Sequence, residues 1–152
     1  MGYMPMSAHV KKALLAAMMV AVLCSGCTPS AIAPGSTTSV SAGDQTIANA
    51  FKQHRSGVRV SGEGVVSALL PDDNESSRHQ RFILRLASGQ TLLFAHNIDI
   101  APRLPSLKLS DTVVFEGVYE WNAQGGLVHW THRDPSGEHP TGWLRYNGRI
   151  YQ

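Results

Sequence analysis

Apolar side chains recur at every second position through most of the C-terminal two thirds of the chain, with turn-forming residues between the runs. This period of two is typical of half-buried β-strands. A long first strand places Val58, Val60 and Val66 on one face. Gly62 and Gly64 lie between these valines and predict a bulge or bend. The pattern therefore predicts an antiparallel sheet.

A hairpin and an irregular connection follow the first strand. Phe82 to Leu86 and Leu92 to His96 alternate in the same way and are separated by the turn residues Ser88 and Gly89. Pro102 and Pro105 lie in the segment from Ile100 to Leu109. They interrupt regular secondary structure there, because a proline ring fixes its own φ angle and restricts the residue before it. We expect that segment to be a crossover or a short irregular helix.

The clearest strand runs from Thr112 to Trp121, and Asn122 to Gly126 turns it into Leu127 to Thr131. Asn147-Gly148 is typical of a type I′ turn and predicts a last hairpin. A bent strand, a hairpin, a crossover and a second hairpin are the strand order of a five-stranded Greek-key barrel of the OB type. The predicted fold is mainly β, either a small OB-like barrel or an open sandwich.

A short N-terminal helix is expected before the first strand. Ile47, Ala50 and Phe51 fall on one face at helical spacing. Asp44 is a candidate N-cap, and His54 would lie near the C-terminal end of the helix.

The N-terminus has the order of a lipoprotein export signal. Lys11 and Lys12 precede an apolar run, Ala13 to Leu23, that leads to Cys27. The run is shorter than the roughly 20 residues that a membrane-spanning helix needs. We expect a signal peptide over residues 1–26, a flexible lipidated leash over 27–43 and a single domain over 44–152. The protein would then be exported and anchored by a lipid such as palmitate at Cys27, in the outer membrane facing the periplasm.

Signal removal changes the charge balance. Both signal lysines leave, so Lys plus Arg falls from 13 to 11 against 11 Asp plus Glu. A neutral domain lacks the basic excess of proteins that bind many phosphates, and no duplex nucleic acid is expected as a partner. Cys24 leaves with the signal and Cys27 is the lipid acceptor, so no thiol remains for a disulfide or a zinc–cysteine site.

Candidate chemistry begins with two polar blocks. The first, residues 72–81, is an acidic turn that ends in His79 and Arg81; it is either a solvated loop or a cation site of oxygen ligands. In the second, His96 lies on the inward parity of its strand and is either a hydrogen-bonded core residue or part of a general-base pair. Asn97 and Asp99 follow it; Asp99 could orient the imidazole, and Asn97 could cap the following turn.

The third block contains His132, Asp134 and His139 on a loop stiffened by prolines. Two imidazoles and a carboxylate are a plausible shell for zinc or another divalent metal, although no cofactor is required by the sequence. The alternative is a rigid polar loop in which Asp134 bonds its own backbone. If the preceding strand continues to Thr131, alternation places His129 and Trp130 on opposite sides, so they would not line one pocket.

Two segments, HQRFILRLASGQTLLFAHNIDIAPRL and EGVYEWNAQGGLVHWTHRDPSGEHPTGWL, carry a family resemblance. Over roughly Gly64 to Tyr151 the chain resembles a bacterial family catalogued as domain of unknown function 3465. The resemblance implies exported proteins without an assigned activity, so it assigns no catalytic residue. A looser similarity is to periplasmic OB-fold proteins.

Two functions are therefore predicted. The first is a membrane-tethered extracytoplasmic module that binds an oligosaccharide, a peptide or a short nucleic acid segment. Whether the chain is an enzyme stays open: the alternative is a metal-dependent hydrolase, such as a phosphodiesterase, with His96, Asp99 and His132 as catalytic candidates. We expect His96 and the third block to converge at one end of the barrel. The candidate ligand-binding residues are His79, Arg81, His96, Asn97, Asp99, His129 and Trp130.

Overall fold

The structure, a computed structural model, describes residues 40–152; the predicted signal and Cys27 lie outside these residues. One helix is followed by seven strands. Their bounds are α1 Ala42–Lys52, β1 Val58–Leu69, β2 His79–Leu86, β3 Thr91–Asn97, β4 Thr112–Glu120, β5 Leu127–His129, β6 Trp143–Tyr146 and β7 Arg149–Tyr151.

Five of the strands close into a barrel. They are hydrogen-bonded in the order β1-β2-β3-β5-β4, and a further pairing between β1 and β4 joins the two ends. β3 and β5 run parallel, whereas the other pairs are antiparallel. This is the predicted OB-type barrel, and of the two predicted architectures the closed one is observed. β6 pairs with β4 beside β5, and β7 extends the sheet as a hairpin.

The interior of the barrel is filled by side chains that recur at every second position of the strands. Phe82, Phe94 and Phe115 are fully buried, with ring centroids 5.2 Å and 4.8 Å apart in the two successive pairs. Leu84, Leu92, Val113, Tyr119 and Val128 are also buried. The predicted alternation of β2 and β3 is confirmed, because Phe82, Leu84, Leu86, Leu92 and Phe94 are all buried.

The irregularity in β1 lies elsewhere than predicted. The register with β2 shifts between Val66 and Ala68, and not at Gly62 or Gly64. The two glycines instead allow close packing, because a Cβ on Gly62 would lie 3.0 Å from the Phe115 ring and one on Gly64 would lie 2.9 Å from the Leu84 side chain. β1 pairs with β4 over residues 58–65 and with β2 over residues 64–69, so it passes from one partner to the other at Gly64 and Val65.

Helix α1 packs its apolar face, Ile47 and Ala50, into the core. Its N-cap is Ser41, whose hydroxyl oxygen accepts a hydrogen bond from the Asp44 N–H at 3.0 Å. The prediction of Asp44 as N-cap is therefore wrong. The carboxylate of Asp44 is buried instead, where it accepts from the Ser41 hydroxyl and from the Ser88 N–H.

The segment between β3 and β4 is an irregular crossover, as its prolines predicted. Gln80 anchors it, because its side-chain amide donates to the Leu104 carbonyl at 3.1 Å and accepts from the Leu104 N–H at 2.9 Å. Arg103 forms a two-pronged ion pair with Asp72. These contacts hold the crossover against β2 and against the loop that connects β1 and β2.

The last hairpin has the predicted turn. Asn147 and Gly148 both have positive φ angles, 49° and 74°, as a type I′ turn requires. Within residues 40–152, no helix is long and apolar enough to cross a membrane.

Candidate functional site

A cleft of about 240 Å³ opens where β2, β3 and β5 approach the loops at their ends. Three chain segments build it, because β2 and β3 are paired antiparallel and β5 lies parallel to β3. We call it the histidine cleft. Its lining residues are Ser77, His79, Ala95, Asn97, Ile100, His129, Trp130 and His132.

His129 and Trp130 line the cleft together. The prediction that they face opposite sides required a strand that continues to Thr131, and this condition is not met. β5 ends at His129, and Trp130 has a φ of 50°. A left-handed backbone is rare for a bulky side chain and costs about 1–3 kcal/mol. It breaks the strand alternation and turns the indole to the side on which the imidazole lies.

Two glycines make room for this backbone. A Cβ on Gly142 would overlap the Trp130 carbonyl oxygen, and a Cβ on Gly117 would lie 2.5 Å from the His129 carbonyl oxygen. Both glycines are buried. The strained turn at Trp130 is therefore held by backbone packed closely from β4 and from the segment before β6.

His96 lies beneath the cleft and is fully buried. Its Nε2 is 3.1 Å from the Pro102 carbonyl, which can only accept, so Nε2–H donates. Nδ1 then accepts from the Thr131 hydroxyl at 2.8 Å. Desolvation by burial lowers the pKa of His96 to about 4, aided by His132 and His79 nearby and opposed by the Pro102 carbonyl. Both nitrogens are occupied, so His96 is a neutral, hydrogen-bonded core residue.

His79 and His132 have fixed tautomers. The Nδ1 of His79 is 2.9 Å from the Ser77 carbonyl, and the Nδ1 of His132 is 3.0 Å from the Arg133 carbonyl. A carbonyl only accepts, so each Nδ1–H donates and each Nε2 carries a lone pair while the ring is neutral. These are two basic nitrogens on side chains that line one cleft.

His129 is the third imidazole of the lining. Its Nε2 lies 3.4 Å from the Glu120 carboxylate, at ion-pair distance, but forms no hydrogen bond within residues 40–152. Burial lowers the pKa of His129, and the adjacent Glu120 opposes that shift. The imidazole is thus held next to a carboxylate without being fully engaged by it.

Trp130 lies among the imidazoles. Its ring centroid is 4.0 Å from that of His139, 5.4 Å from that of His132 and 6.0 Å from that of His129. The structure therefore brings His132 and His139 to the end of the barrel where His96 is buried.

The carboxylate of Asp134 is turned to its own loop. It accepts from the N–H and hydroxyl of Ser136 and, at 2.7 Å, from the His139 N–H. Although desolvation opposes the shift, these bonds lower the pKa of Asp134 to about 2. Within residues 40–152, no three His, Cys, Asp or Glu side chains are placed to hold a metal ion together. The proposed metal set of His132, Asp134 and His139 is thus not assembled here, and the polar-loop alternative describes Asp134.

Three of the predicted ligand-binding residues lie outside the cleft lining, namely the buried His96, Asp99 and Arg81. The Asp99 carboxylate accepts from the Arg78 N–H and from its Nε at 2.7 Å, so it does not orient His96. The Arg81 Nε donates to the Pro71 carbonyl. Sequence reasoning missed Ser77 and Ile100; Ile100 is an exposed apolar side chain next to a predicted polar block, which is the signal that could have found it.

A second, more apolar cleft of about 230 Å³ lies on the same outer face of β2 and β3. Ile83 and Leu93, directly paired across these strands, form its floor. Leu93 is two positions before Ala95 of the histidine cleft, which is about 7 Å along a strand. The other lining residues are Leu70, Thr91, Asn122, Gln124 and Gly126, from the β1–β2 loop, β3 and the β4–β5 loop.

Fold and clefts together define an OB-type barrel with concave sites on its β2–β3 face, the face that OB-folds use for ligands. A family model described as "Protein of unknown function (DUF3465)" matches residues 31–152. The chain belongs to this family, so the resemblance inferred from the sequence is confirmed and extends upstream of Gly64. No curated protein matches the chain.

Proposed function

We propose that the chain is an extracytoplasmic ligand-binding module, tethered through a lipid at Cys27, and that its ligand lies on the outer face of β2, β3 and β5. The observation that carries the proposal is the convergence of His79, Asn97, His129 and Trp130 on one cleft from three separate segments. Concave, mixed polar and apolar sites of this kind are where small ligands bind.

The backbone at Trp130 supports the same proposal. A left-handed tryptophan is maintained at a cost, and its consequence is an indole beside the imidazoles of His129 and His132, which also line the cleft. Strained residues of this type cluster at functional sites. The face also continues into the apolar cleft, so an extended ligand would contact both.

The test uses the isotope-labelled, unlipidated domain with residues 40–152 intact. Amide chemical shifts are followed while maltohexaose, hexaalanine or the oligonucleotide dT6 is added. We expect one of these probes to shift the amides of His79, Asn97 and Trp130 at millimolar concentration or below. Trp130→Ala should weaken that response by about tenfold, because a stacked aromatic contributes about 1–3 kcal/mol.

Trp143→Ala is the matched control. Trp143 is also a half-buried indole, but it lies on β6 and donates to Glu116 away from the cleft lining. Its loss should leave the response intact. Probe-induced shifts confined to β6 and β7, or equal effects of the two substitutions, would contradict the proposed site.

A further inference from the structure

The histidine cleft presents hydrogen-bond acceptors and an aromatic surface, and we propose that it takes a neutral carbohydrate, whose hydroxyl groups donate to the Nε2 atoms of His79 and His132. This inference rests on the proposed binding function and names the class of ligand for that same site. It follows from which atoms are already engaged by the protein and which are left for a ligand.

The acceptors are set by the backbone. Ser77 and Arg133 each offer a carbonyl to one Nδ1–H, at 2.9 Å and 3.0 Å, which fixes the lone pair on the opposite nitrogen of the ring. A hydroxyl group of a sugar is a donor that suits such a nitrogen. A carboxylate or a phosphate does not suit it, because their oxygens are hydrogen-bond acceptors and the site already presents acceptor nitrogens.

The donors are set in the same way. The Oδ1 of Asn97 accepts from the Asp99 N–H at 2.9 Å, so the side-chain NH₂ of Asn97 is the group left for a ligand oxygen. Asn97 lines the cleft with the two imidazoles. A sugar ring offers hydroxyl oxygens to such a donor and hydroxyl hydrogens to the imidazoles.

Burial lowers the pKa values of His96 and His129, and the nearby imidazoles of His132 and His79 add to both shifts. The charged groups on the surrounding elements are largely engaged elsewhere. Glu120 faces His129, Asp99 pairs with Arg78, Arg81 donates to Pro71, and Arg133 is exposed.

Size and shape complete the argument. A volume of about 240 Å³ is below the roughly 300–1,000 Å³ of sites for drug-sized ligands, so the cleft suits a single ring. Trp130 supplies an apolar surface for the C–H face of that ring. Further units of an oligosaccharide would extend along the outer face of β2 and β3 toward Leu93.

The test compares ligands at two pH values. Maltohexaose, cellohexaose and chitohexaose are titrated against the domain at pH 7.5 and pH 5.0, with hexagalacturonate as the anionic counterpart and hexaalanine and dT6 as the other classes. We expect a neutral hexasaccharide to shift the amides of His79, Asn97 and Trp130. Its affinity should fall on acidification by about threefold to tenfold for each imidazole that protonates, since a protonated ring donates and no longer accepts.

His79→Phe keeps a ring in place and removes the acceptor. It should weaken binding at pH 7.5 by about threefold to tenfold. His54→Phe is the control, because His54 is an exposed histidine at the end of α1 that does not line the cleft. His132→Phe gives a second measurement, and thermal melts establish that each variant is folded.

The outcomes are distinguishable. A neutral hexasaccharide that binds in the cleft and weakens at pH 5.0 supports the inference. Two results would overturn the carbohydrate class and leave the binding function standing. One is that hexagalacturonate binds in the cleft and binds more tightly at pH 5.0. The other is that hexaalanine or dT6 binds there and the sugars do not. If none of the probes shifts the cleft amides, both proposals fail.

Discussion

Acidification should destabilise the domain through His96. The unfolded chain binds a proton on this imidazole near the ordinary value of 6.5, whereas burial lowers its pKa to about 4 in the folded state. The unfolded state therefore gains the proton first as the pH falls. Stability that is present above pH 6.5 is lost between about pH 6.5 and 4, and the loss from this group levels off below its folded pKa.

The magnitude follows from the two pKa values. Each pKa unit corresponds to 1.36 kcal/mol, so the difference between 6.5 and about 4 is worth about 3 kcal/mol of unfolding free energy. Small domains have a total stability of about 5–15 kcal/mol. Loss of about 3 kcal/mol should lower the midpoint of thermal unfolding by more than 10 °C.

The assay is urea denaturation at pH 7.0, 5.5 and 4.5, followed by tryptophan fluorescence. His96→Gln removes the titrating group, and at pH 7.0 it should cost about 1–3 kcal/mol because Thr131 loses its partner. Its decline between pH 7.0 and 4.5 should be smaller than that of the unsubstituted domain by about 2 kcal/mol, since pH 4.5 is still above the folded pKa of His96. His54→Gln, at an exposed position, should decline like the unsubstituted domain. Equal declines in the His96 variant and the unsubstituted domain would refute the reasoning.

Four other substitutions test separate parts of the account. Gly142→Ala places a methyl group against the Trp130 carbonyl and should cost at least about 1–3 kcal/mol in a thermal melt. Gly148→Ala meets open space but a positive φ and should cost only about 1–2 kcal/mol; a larger loss at Gly148 would contradict the packing argument. Ser41→Ala removes the N-cap of α1 and should cost about 1 kcal/mol, seen as faster hydrogen exchange in α1 than in β4; unchanged exchange would argue against the cap. Cys27→Ala should leave the protein exported but release it from the membrane fraction, because the apolar run before it is too short to anchor; wash-resistant membrane retention would count against the lipid tether.

The strands could be predicted from the sequence because their signal is local. Phe82, Leu84 and Leu86 occupy every second position of β2 and are buried, whereas the residues between them are less buried. A barrel wall with an apolar inner face requires that period. The Asn147-Gly148 turn is local for the same reason, since the two residues adopt positive φ angles at little cost.

The arrangement of the site depends on contacts between distant segments, which a single strand pattern does not contain. Trp130 is left-handed where the backbone of β5 runs close to Gly117 and Gly142, 13 and 12 positions away respectively. Ser41 and Asp44 are both residue types that can cap a helix. The Asp44 carboxylate instead accepts a hydrogen bond from the Ser88 N–H, which lies 44 positions along the chain. The contacts of Asp134 were easier to predict, because its hydrogen-bond partners lie within five positions. They form the local polar loop that was one of the two predicted alternatives.

Closure of the barrel through β1 and β4 also sets an order of events during folding. The β2–β3 hairpin joins neighbouring segments, but the β1–β4 contact between Arg59 and Glu116 spans 57 positions. Contacts of such separation form late, because loop entropy is lost before they contribute. A chain that emerges from its N-terminus carries an unpaired β1 edge until β4 has appeared, and such edges recruit other chains. Truncation before Thr112 should therefore give an aggregating fragment and not a smaller barrel.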